Sequence, residues 1–199
     1  MAHAATMDPM DRYEHPLTPG WGKLMMWIFL CSDAMSFAGL LAAYGAVRLG
    51  QGTGWPIPHE HLDVPLTALN TFILICSSVT MVKALSAIRR GDLRGLKLWL
   101  LGTIIGGSTF LGIQAYEWTH QLTQGLVIQS SLFWATFYIL TGFHGCHVLS
   151  GVIYLACILV AAQRGRYSAA HNNPVEIVGL YWHFVDLIWI LVFTFVYLL

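Results

Sequence analysis

The run Leu98–Tyr116 reads LWLLGTIIGGSTFLGIQAY, 19 residues without a charged residue or a histidine. Two more runs of this kind occur, Val64–Val82 with 19 residues and Gln121–Phe143 with 23. Uninterrupted stretches of about 18 or more apolar residues are typical of transmembrane helices. The composition agrees, because 10% of the residues are charged, whereas a soluble domain has about 25%. We therefore predict an integral membrane protein.

Five hydrophobic segments, separated by short polar or glycine-rich breaks, predict an all-α membrane protein with a bundle of five transmembrane helices. The breaks contain Gly50–Gly54, Arg89–Arg94, His120–Gly125 and Arg164–Pro174, and such residues favour turns. The predicted spans cover about residues 22–48, 65–88, 96–119, 130–162 and 175–199. Residues 1–21 form an N-terminal segment outside the spans.

Lysine and arginine side chains concentrate in alternate connections between the predicted spans. Eight of them lie on one predicted side of the membrane: Arg12, Lys23, Arg89, Arg90, Arg94, Lys97, Arg164 and Arg166. The connections on the other side have none, apart from Arg48 at the edge of the first one. Because positively charged segments stay in the cytoplasm, we predict a cytoplasmic N-terminus, including residues 1–21, and an outward-facing C-terminus.

Charge and cysteine content argue against several other classes of protein. The chain has ten basic and ten acidic residues and no basic patch. Because nucleic-acid-binding surfaces are basic, we expect no nucleic acid partner. Four cysteines lie within apolar spans at no metal-ligand spacing: Cys31, Cys76, Cys146 and Cys157. The sequence therefore predicts neither a disulfide framework nor a zinc site, and we expect these cysteines to be small buried side chains.

Small residues at intervals of four predict close contacts between helices, since lipid provides no hydrophobic drive for helices to associate. The first span carries Ala34, Ala38, Ala42 and Ala46 at this spacing. The third span carries Gly102 and Gly106. We expect both stripes to lie in helix interfaces.

Ionisable residues within the spans are informative, because a charged side chain at a helix centre costs about 2.5–3.5 kcal/mol on insertion scales. Asp33, near the middle of the first span, is our candidate for proton uptake or for a buried carboxylate. Six others are predicted to form a structural polar network or to contact lipid or another subunit: Glu117, His144, His147, Glu176, His183 and Asp186. Within this set, His144 and His147 share a helix face, as do His183 and Asp186, because each pair is three residues apart.

Three functions compete for these residues. Redox cofactor ligation needs converging ligands, but the sequence has no duplicated histidine pair on two spans, no Cys/His copper cluster and no paired Glu-x-x-His. A proton or ion pathway would use Asp33, Glu117 and Asp186 as relays, although three carboxylates on three spans form no evident continuous chain. We favour a structural role, in which buried histidine–carboxylate pairs hold the helices in register. We predict no catalytic residue and no metal ligand in this chain.

Several segments resemble subunit III of the haem–copper terminal oxidases, over nearly the whole chain. The resemblance rests on Trp27–Gly39 (WIFLCSDAMSFAG), Leu69–Thr71 with Ser77–Thr80, Phe110–Trp118 (FLGIQAYEW), Leu140–Val148 (LTGFHGCHV) and Tyr181–Trp189 (YWHFVDLIW). The strings TGFHGCHV and WHFVDLIW are the most specific of these. The sequence is therefore identified as similar to this family.

The resemblance implies an accessory subunit of an oxygen-reducing, proton-pumping respiratory complex in the bacterial cytoplasmic (inner) membrane. It implies that haem and copper lie in partner subunits I and II, so that this chain holds no cofactor. It also implies that the chain packs on subunit I and supports the stability and proton uptake of that subunit. The resemblance leaves open a bound phospholipid, a subunit IV as partner and a larger respiratory supercomplex.

Two departures from the family pattern refine this interpretation. Many members have glutamate where this chain has Asp33, and seven-helix members have two further helices before the position of Trp27. The chain therefore resembles the short five-helix bacterial form, whose complexes use either cytochrome c or quinol, and we favour cytochrome c as the donor. The alternatives are subunit III of a quinol oxidase, the related accessory subunit of a nitric oxide reductase, and an independent small transporter.

Overall fold

The computed structural model describes residues 20–56 and 62–199, and these residues form five long helices and no strand. The helices are α1 (Trp21–Gln51), α2 (Val64–Arg89), α3 (Leu93–Thr123), α4 (Leu132–Gln163) and α5 (Asn173–Phe193). A 3-10 turn, Gly52–Gly54, follows α1, and α5 continues as a π-helical turn, Thr194–Leu198.

All five helices are long and apolar enough to cross a membrane, so the predicted all-α fold with five transmembrane helices is confirmed. Each helix begins within three residues of its predicted start, and α1 to α4 end within four residues of their predicted ends. The fifth span was predicted to reach residue 199, but α5 ends at Phe193 and the π-helical turn follows it. The predicted cytoplasmic segment 1–21 lies outside the described residues except for its last two.

Polar side chains and glycines set the ends of the helices. Asp63 Oδ1 accepts a hydrogen bond from the Leu66 amide at 3.1 Å at the start of α2, and Asp92 Oδ1 accepts one from the Gly95 amide at 2.9 Å at the start of α3. Such caps satisfy amides that have no partner within the helix. Three glycines follow α2, α3 and α4 in a left-handed conformation, which glycine adopts without strain: Gly91 (φ 78°), Gly125 (φ 78°) and Gly165 (φ 72°).

Helices α2 to α5 form a closed ring, and α1 lies outside it. Each helix of the ring contacts the next along the chain, and α5 returns to contact α2. Helix α1 packs on α5 and, less extensively, on α4. As a result, 17% of the most apolar stretch of α1 is buried within the chain, against 50% for α5.

One end of the bundle carries most of the basic residues, and we call it the basic end; α1, α3 and α5 begin there. At this end the Glu176 carboxylate of α5 pairs with Lys23 Nζ of α1 at 3.0 Å and with Arg89 Nη2 of α2 at 3.2 Å. Glu176 therefore joins the ends of three helices. The other end of the bundle is called the opposite end below.

The centre of the ring is built around two tryptophans of α5. The Trp182 indole N–H donates to Ser77 Oγ at 3.0 Å, and the Trp189 indole N–H donates to Thr71 Oγ1 at 2.9 Å. The Trp182 ring lies against Gly107 of α3 and Gly151 of α4, where a Cβ atom would collide with it or crowd it. Glycine at these two positions therefore lets α3, α4 and α5 approach closely.

Of the two predicted stripes of small residues, only the one on α3 lies in a helix interface of the described residues. Gly106 lies against Ser77, with only 2.7 Å between the Ser77 Cβ and a Cβ built on the glycine, so this stripe is in the α2–α3 interface. Ala38, Ala42 and Ala46 of α1 are exposed, so their predicted place in an interface within this chain is wrong. The four cysteines are free and exposed, and their predicted burial is also wrong.

Candidate functional site: buried carboxylates and their partners

Glu117 accepts hydrogen bonds from three segments of the chain near the opposite end of the ring. Gln114 Nε2 of α3 donates to Glu117 Oε2 at 3.2 Å, and the Tyr197 hydroxyl, in the turn after α5, donates to the same oxygen at 3.1 Å. Thr67 Oγ1 of α2 lies 3.4 Å from Glu117 Oε1. The Glu117 residue is 6% exposed. This carboxylate therefore joins α2, α3 and the end of α5.

Asp33 connects the outlying helix α1 to α4. Asp33 Oδ1 lies 3.1 Å from His147 Nε2, and His147 Nδ1 lies 2.7 Å from the carbonyl oxygen of Phe143. The Phe37 ring packs against the imidazole, with 5.2 Å between the ring centroids. Asp33 is 8% exposed, although it lies on the helix that is least covered by the rest of the chain.

The hydrogen bonds of His147 show which atoms of the Asp33–His147 pair carry a proton. A carbonyl oxygen only accepts, so His147 Nδ1 must carry a hydrogen. The contact between Nε2 and Asp33 Oδ1 needs one further proton, on the imidazole or on the carboxyl group. Both forms have no net charge, as imidazolium with carboxylate or as imidazole with carboxylic acid. One proton can therefore move within this pair without changing the charge of the site.

Asp186 and His183 of α5 meet through a serine of α2. The Ser78 hydroxyl donates to Asp186 Oδ2 at 2.7 Å, and His183 Nδ1 lies 3.3 Å from Ser78 Oγ. Because the serine hydrogen is used on Asp186, the contact with His183 requires Nδ1 to carry a hydrogen and to donate it. The two residues thus do share a helix face, but a third side chain stands between them.

His144 is fully buried among aromatic rings. Its ring centroid lies 4.8 Å from that of Trp189, 5.8 Å from that of Phe110 and 6.3 Å from that of Phe37. Neither ring nitrogen has a hydrogen-bond partner in the part of the chain that the structure describes. A hydrogen-bonding role for His144 therefore stays a prediction, and its contacts are those of an aromatic core residue.

The candidate residues do not converge on one centre. Asp33 with His147, Asp186 with His183, and Glu117 form separate groups on different helix interfaces. Within residues 20–56 and 62–199, no three His, Cys, Asp or Glu side chains are grouped so that they could hold a metal ion. Two residues that complete these groups, Ser78 and Tyr197, were not predicted from the sequence. Each is a hydroxyl-bearing residue within an apolar span, and serine, threonine and tyrosine are too common in such spans to indicate a site.

The fold and these groups define a multi-pass membrane protein whose buried polar side chains bind one another across helix interfaces. The family model described as "Cytochrome c oxidase subunit III" matches residues 13–199. The chain therefore belongs to the cytochrome c oxidase subunit III family, and the predicted resemblance to subunit III of haem–copper oxidases is confirmed.

Curated relatives agree with this assignment. The chain is 41% identical, over 85% of its length and 84% of the relative, to "Cytochrome c oxidase subunit 3" of Corynebacterium diphtheriae. It is 37% identical to the protein of the same name from Thermostichus vulcanus, over 94% of this chain and 90% of the relative. It is also 34% identical to "Quinol oxidase subunit 3" of Bacillus subtilis, over 88% of this chain and 86% of the relative. All three are subunits of oxidoreductase complexes.

Proposed function

We propose that this chain is the non-catalytic subunit III of a proton-pumping haem–copper oxygen reductase, packed on subunit I and assembled with subunit II. The observation that supports this most directly is that the buried ionisable groups bind side chains of the same chain. Asp33, Glu117 and Asp186 each contact side chains on other helices of the same chain, as groups that hold a bundle together do. Haem and copper would lie in the partner subunits.

The Asp33–His147 pair supports a part in proton uptake by the catalytic subunit. Its hydrogen-bond geometry places one proton between the two side chains. The pair lies within the membrane-spanning region, and Asp33 is on the helix that the rest of the chain covers least. In this role the pair would exchange its proton with water near the entrance of the proton pathway of subunit I. The other carboxylates would contribute stability.

We propose cytochrome c as the electron donor of the complex and quinol as the second candidate. Two of the relatives described above are named as cytochrome c oxidase subunits, and one is named as a quinol oxidase subunit. The donor would bind to another subunit, so its identity has to be read from the complex and not from this chain.

The proposed location is a bacterial cytoplasmic membrane, with the basic end of the bundle in the cytoplasm. Lys23, Arg89, Arg90, Arg94, Lys97, Arg164 and Arg166 lie at or near that end, and positively charged segments are retained in the cytoplasm. The N-terminus would then be cytoplasmic and the C-terminus would face outward. Reporter fusions at the two termini, one active only in the cytoplasm and one only outside it, test this orientation.

The function is tested by affinity purification of the tagged chain from detergent-solubilised membranes, followed by an optical spectrum and mass spectrometry. We expect haem absorbance together with a large polytopic subunit and a copper-binding subunit. A c-type cytochrome in the preparation, or oxidation of reduced cytochrome c by it, would identify the donor, and quinol oxidation without cytochrome c activity would select the second candidate. A colourless preparation of this chain alone, from membranes that retain oxidase activity, would contradict the proposal.

A further inference from the structure

Three side chains form a continuous line of hydrogen bonds between α5 and α2. His183 Nδ1 lies 3.3 Å from Ser78 Oγ, and Ser78 Oγ lies 2.7 Å from Asp186 Oδ2. Asp186 is 7% exposed, whereas His183 is half-buried and lines a groove of about 340 Å³ between α1 and α5. The serine hydroxyl therefore connects a covered carboxyl group to an accessible imidazole.

The carboxyl group of Asp186 has no cation beside it among the described residues. The ion pairs found among them do not include Asp186, and Lys83, the lysine within α2, lies over the Trp99 ring instead. Asp186 Oδ1 also has no hydrogen-bond partner in this part of the chain. A buried carboxylate without an opposite charge is unfavourable. We therefore expect the line of three side chains to hold one proton more than an ionised Asp186 and a neutral His183 would.

This additional proton has two arrangements that use the same contacts. With Asp186 ionised, the Ser78 hydroxyl donates to Asp186, and an imidazolium donates from Nδ1 to Ser78. With the proton on Asp186, both bonds reverse: the carboxyl group donates to Ser78 Oγ, the Ser78 hydroxyl donates to His183 Nδ1, and Nε2 carries the hydrogen of a neutral imidazole. A hydroxyl can serve both arrangements because it donates one hydrogen and also accepts.

The two arrangements differ in charge separation. Both have no net charge, but burial favours the one without an ion pair, in which Asp186 is a neutral acid. The step between them balances within the three side chains. The Oδ2–H bond of Asp186 breaks as Ser78 Oγ takes that proton, and Ser78 gives its own hydrogen to His183 Nδ1. A carboxylate and an imidazolium result.

We propose that Asp186, Ser78 and His183 form a proton relay. Asp186 holds the proton at rest and passes it through Ser78 to the imidazole beside the groove, where the imidazolium exchanges its hydrogens with the medium. The relay lies on the α2–α5 interface, apart from Asp33, and gives Asp186 a proton-carrying role in addition to its contribution to stability.

The test uses infrared spectroscopy of the intact membrane assembly. A protonated carboxyl group has its own C=O band, and the band of Asp186 is identified by its loss in Asp186→Asn. Transfer of the assembly from H₂O to D₂O shifts this band as the carboxyl group takes up deuterium. The rate of the shift measures how fast the buried proton is exchanged.

Ser78→Ala interrupts the relay and leaves both titratable side chains in place. We expect it to slow deuterium uptake at Asp186 by about tenfold or more, since a positioned proton-transferring group contributes about 10²–10⁴-fold. Ser78→Thr keeps the hydroxyl and should retain most of the wild-type rate. A general loosening of the helices would admit water and speed the exchange, so slower uptake distinguishes a lost relay from structural damage.

Ser77→Ala is the matched control, because it removes the hydroxyl of the neighbouring serine of α2. Ser77 Oγ accepts from the Trp182 indole and belongs to a different contact. Ser77→Ala should not slow deuterium uptake at Asp186.

Two results would overturn the relay. If no carboxyl band is lost in Asp186→Asn, Asp186 holds no proton at rest. If uptake in Ser78→Ala is as fast as in the wild type or faster, the proton does not pass through Ser78. Should Ser78→Ala fail to assemble, His183→Gln keeps a hydrogen-bonding partner for Ser78 but cannot pass a proton on, and an unchanged rate in that variant would equally contradict the proposal.

Discussion

Asp33 and Glu117 are both buried carboxylates, at 8% and 6% exposure, but the chain holds them in different ways. Glu117 lies inside the ring of α2 to α5 and is contacted by hydroxyl and amide groups from three segments. Asp33 lies on α1, outside the ring, and among the described residues its side-chain partner is the imidazole of His147. The imidazole can share a proton with the Asp33 carboxyl group, whereas the hydroxyl and amide groups only hydrogen-bond to Glu117.

The difference shows that burial alone does not assign a role to an acid in a membrane protein. Because each buried hydrogen bond contributes to stability, we expect the acid with more partners to contribute more, and the acid paired with an imidazole to be the one that can share its proton. We therefore expect Glu117 to matter most for the stability of the ring. Asp33 should matter less for stability and more for proton exchange.

Glu117→Ala is expected to have the largest effect on stability. The change removes the acceptor of Gln114 and Tyr197 and leaves their donors unpaired inside the ring. Each unpaired buried donor costs about 1–3 kcal/mol, so the free energy of unfolding should fall by about 3 kcal/mol or more. Thermal or denaturant unfolding of the purified assembly in detergent measures this loss.

Glu117→Gln is the matched control for that change. Its amide oxygen can accept from Gln114 and Tyr197 while its amide nitrogen donates to Thr67, so most of the stability should remain. An alanine variant as stable as the glutamine variant would show that the three contacts contribute little, and the contrast with Asp33 would then lose its basis.

Gly107→Ala is expected to have the next largest effect. The new Cβ would lie 2.8 Å from Val152 Cγ2 and closer still to the Trp182 ring. Overpacking of this kind costs about 1–3 kcal/mol, because α3 cannot move away from α5 without opening the ring. Unfolding of the assembly in detergent is the measurement.

A glycine of α1 supplies the comparison for Gly107. A Cβ added at Gly39 would have no atom within 4 Å, so Gly39→Ala should change the free energy of unfolding by less than about 0.5 kcal/mol. Similar losses in the two variants would mean that the ring is no more tightly packed than the contact between α1 and its neighbours.

The helices could be predicted from the sequence because the signal is local. A charge-free run such as Leu98–Tyr116 is long enough to span the bilayer whatever its neighbours are. The acids could also be identified, because ionisable residues within a span are rare. Both conclusions depend on what the bilayer excludes and not on how the helices pack.

The partners of the acids could not be predicted, because they depend on which faces of different helices meet. The spacing of His183 and Asp186 predicted that they share one face of α5. It could not predict that Ser78 of α2 lies between them. The alanines of α1 show the same limit, since periodicity defines a stripe without saying where it points. Ala38 faces outward, whereas Gly106 of α3 lies against Ser77.

Asp33→Ala is expected to have a smaller effect on stability than Glu117→Ala or Gly107→Ala. The change leaves His147 Nε2 without its partner and weakens the contact between α1 and α4. Hydrogen bonds between membrane helices contribute about 0.6–2 kcal/mol, so the loss should be about 1 kcal/mol, less than for Glu117→Ala. Thermal unfolding of the same assembly in detergent gives the comparison.

Asp33→Asn tests proton exchange at this site while keeping the contact between α1 and α4. Asparagine can donate from Nδ2 to the free Nε2 of a neutral His147, so α1 stays docked and stability should stay close to that of the wild type. The variant has no carboxyl group to pass the proton to, however, so proton exchange at this site should stop. If the pair takes part in proton uptake, intact assemblies of this variant should lose oxygen consumption during sustained turnover. Sustained wild-type turnover by Asp33→Asn would instead give Asp33 the same role as Glu117, an acid that only holds its helix in place.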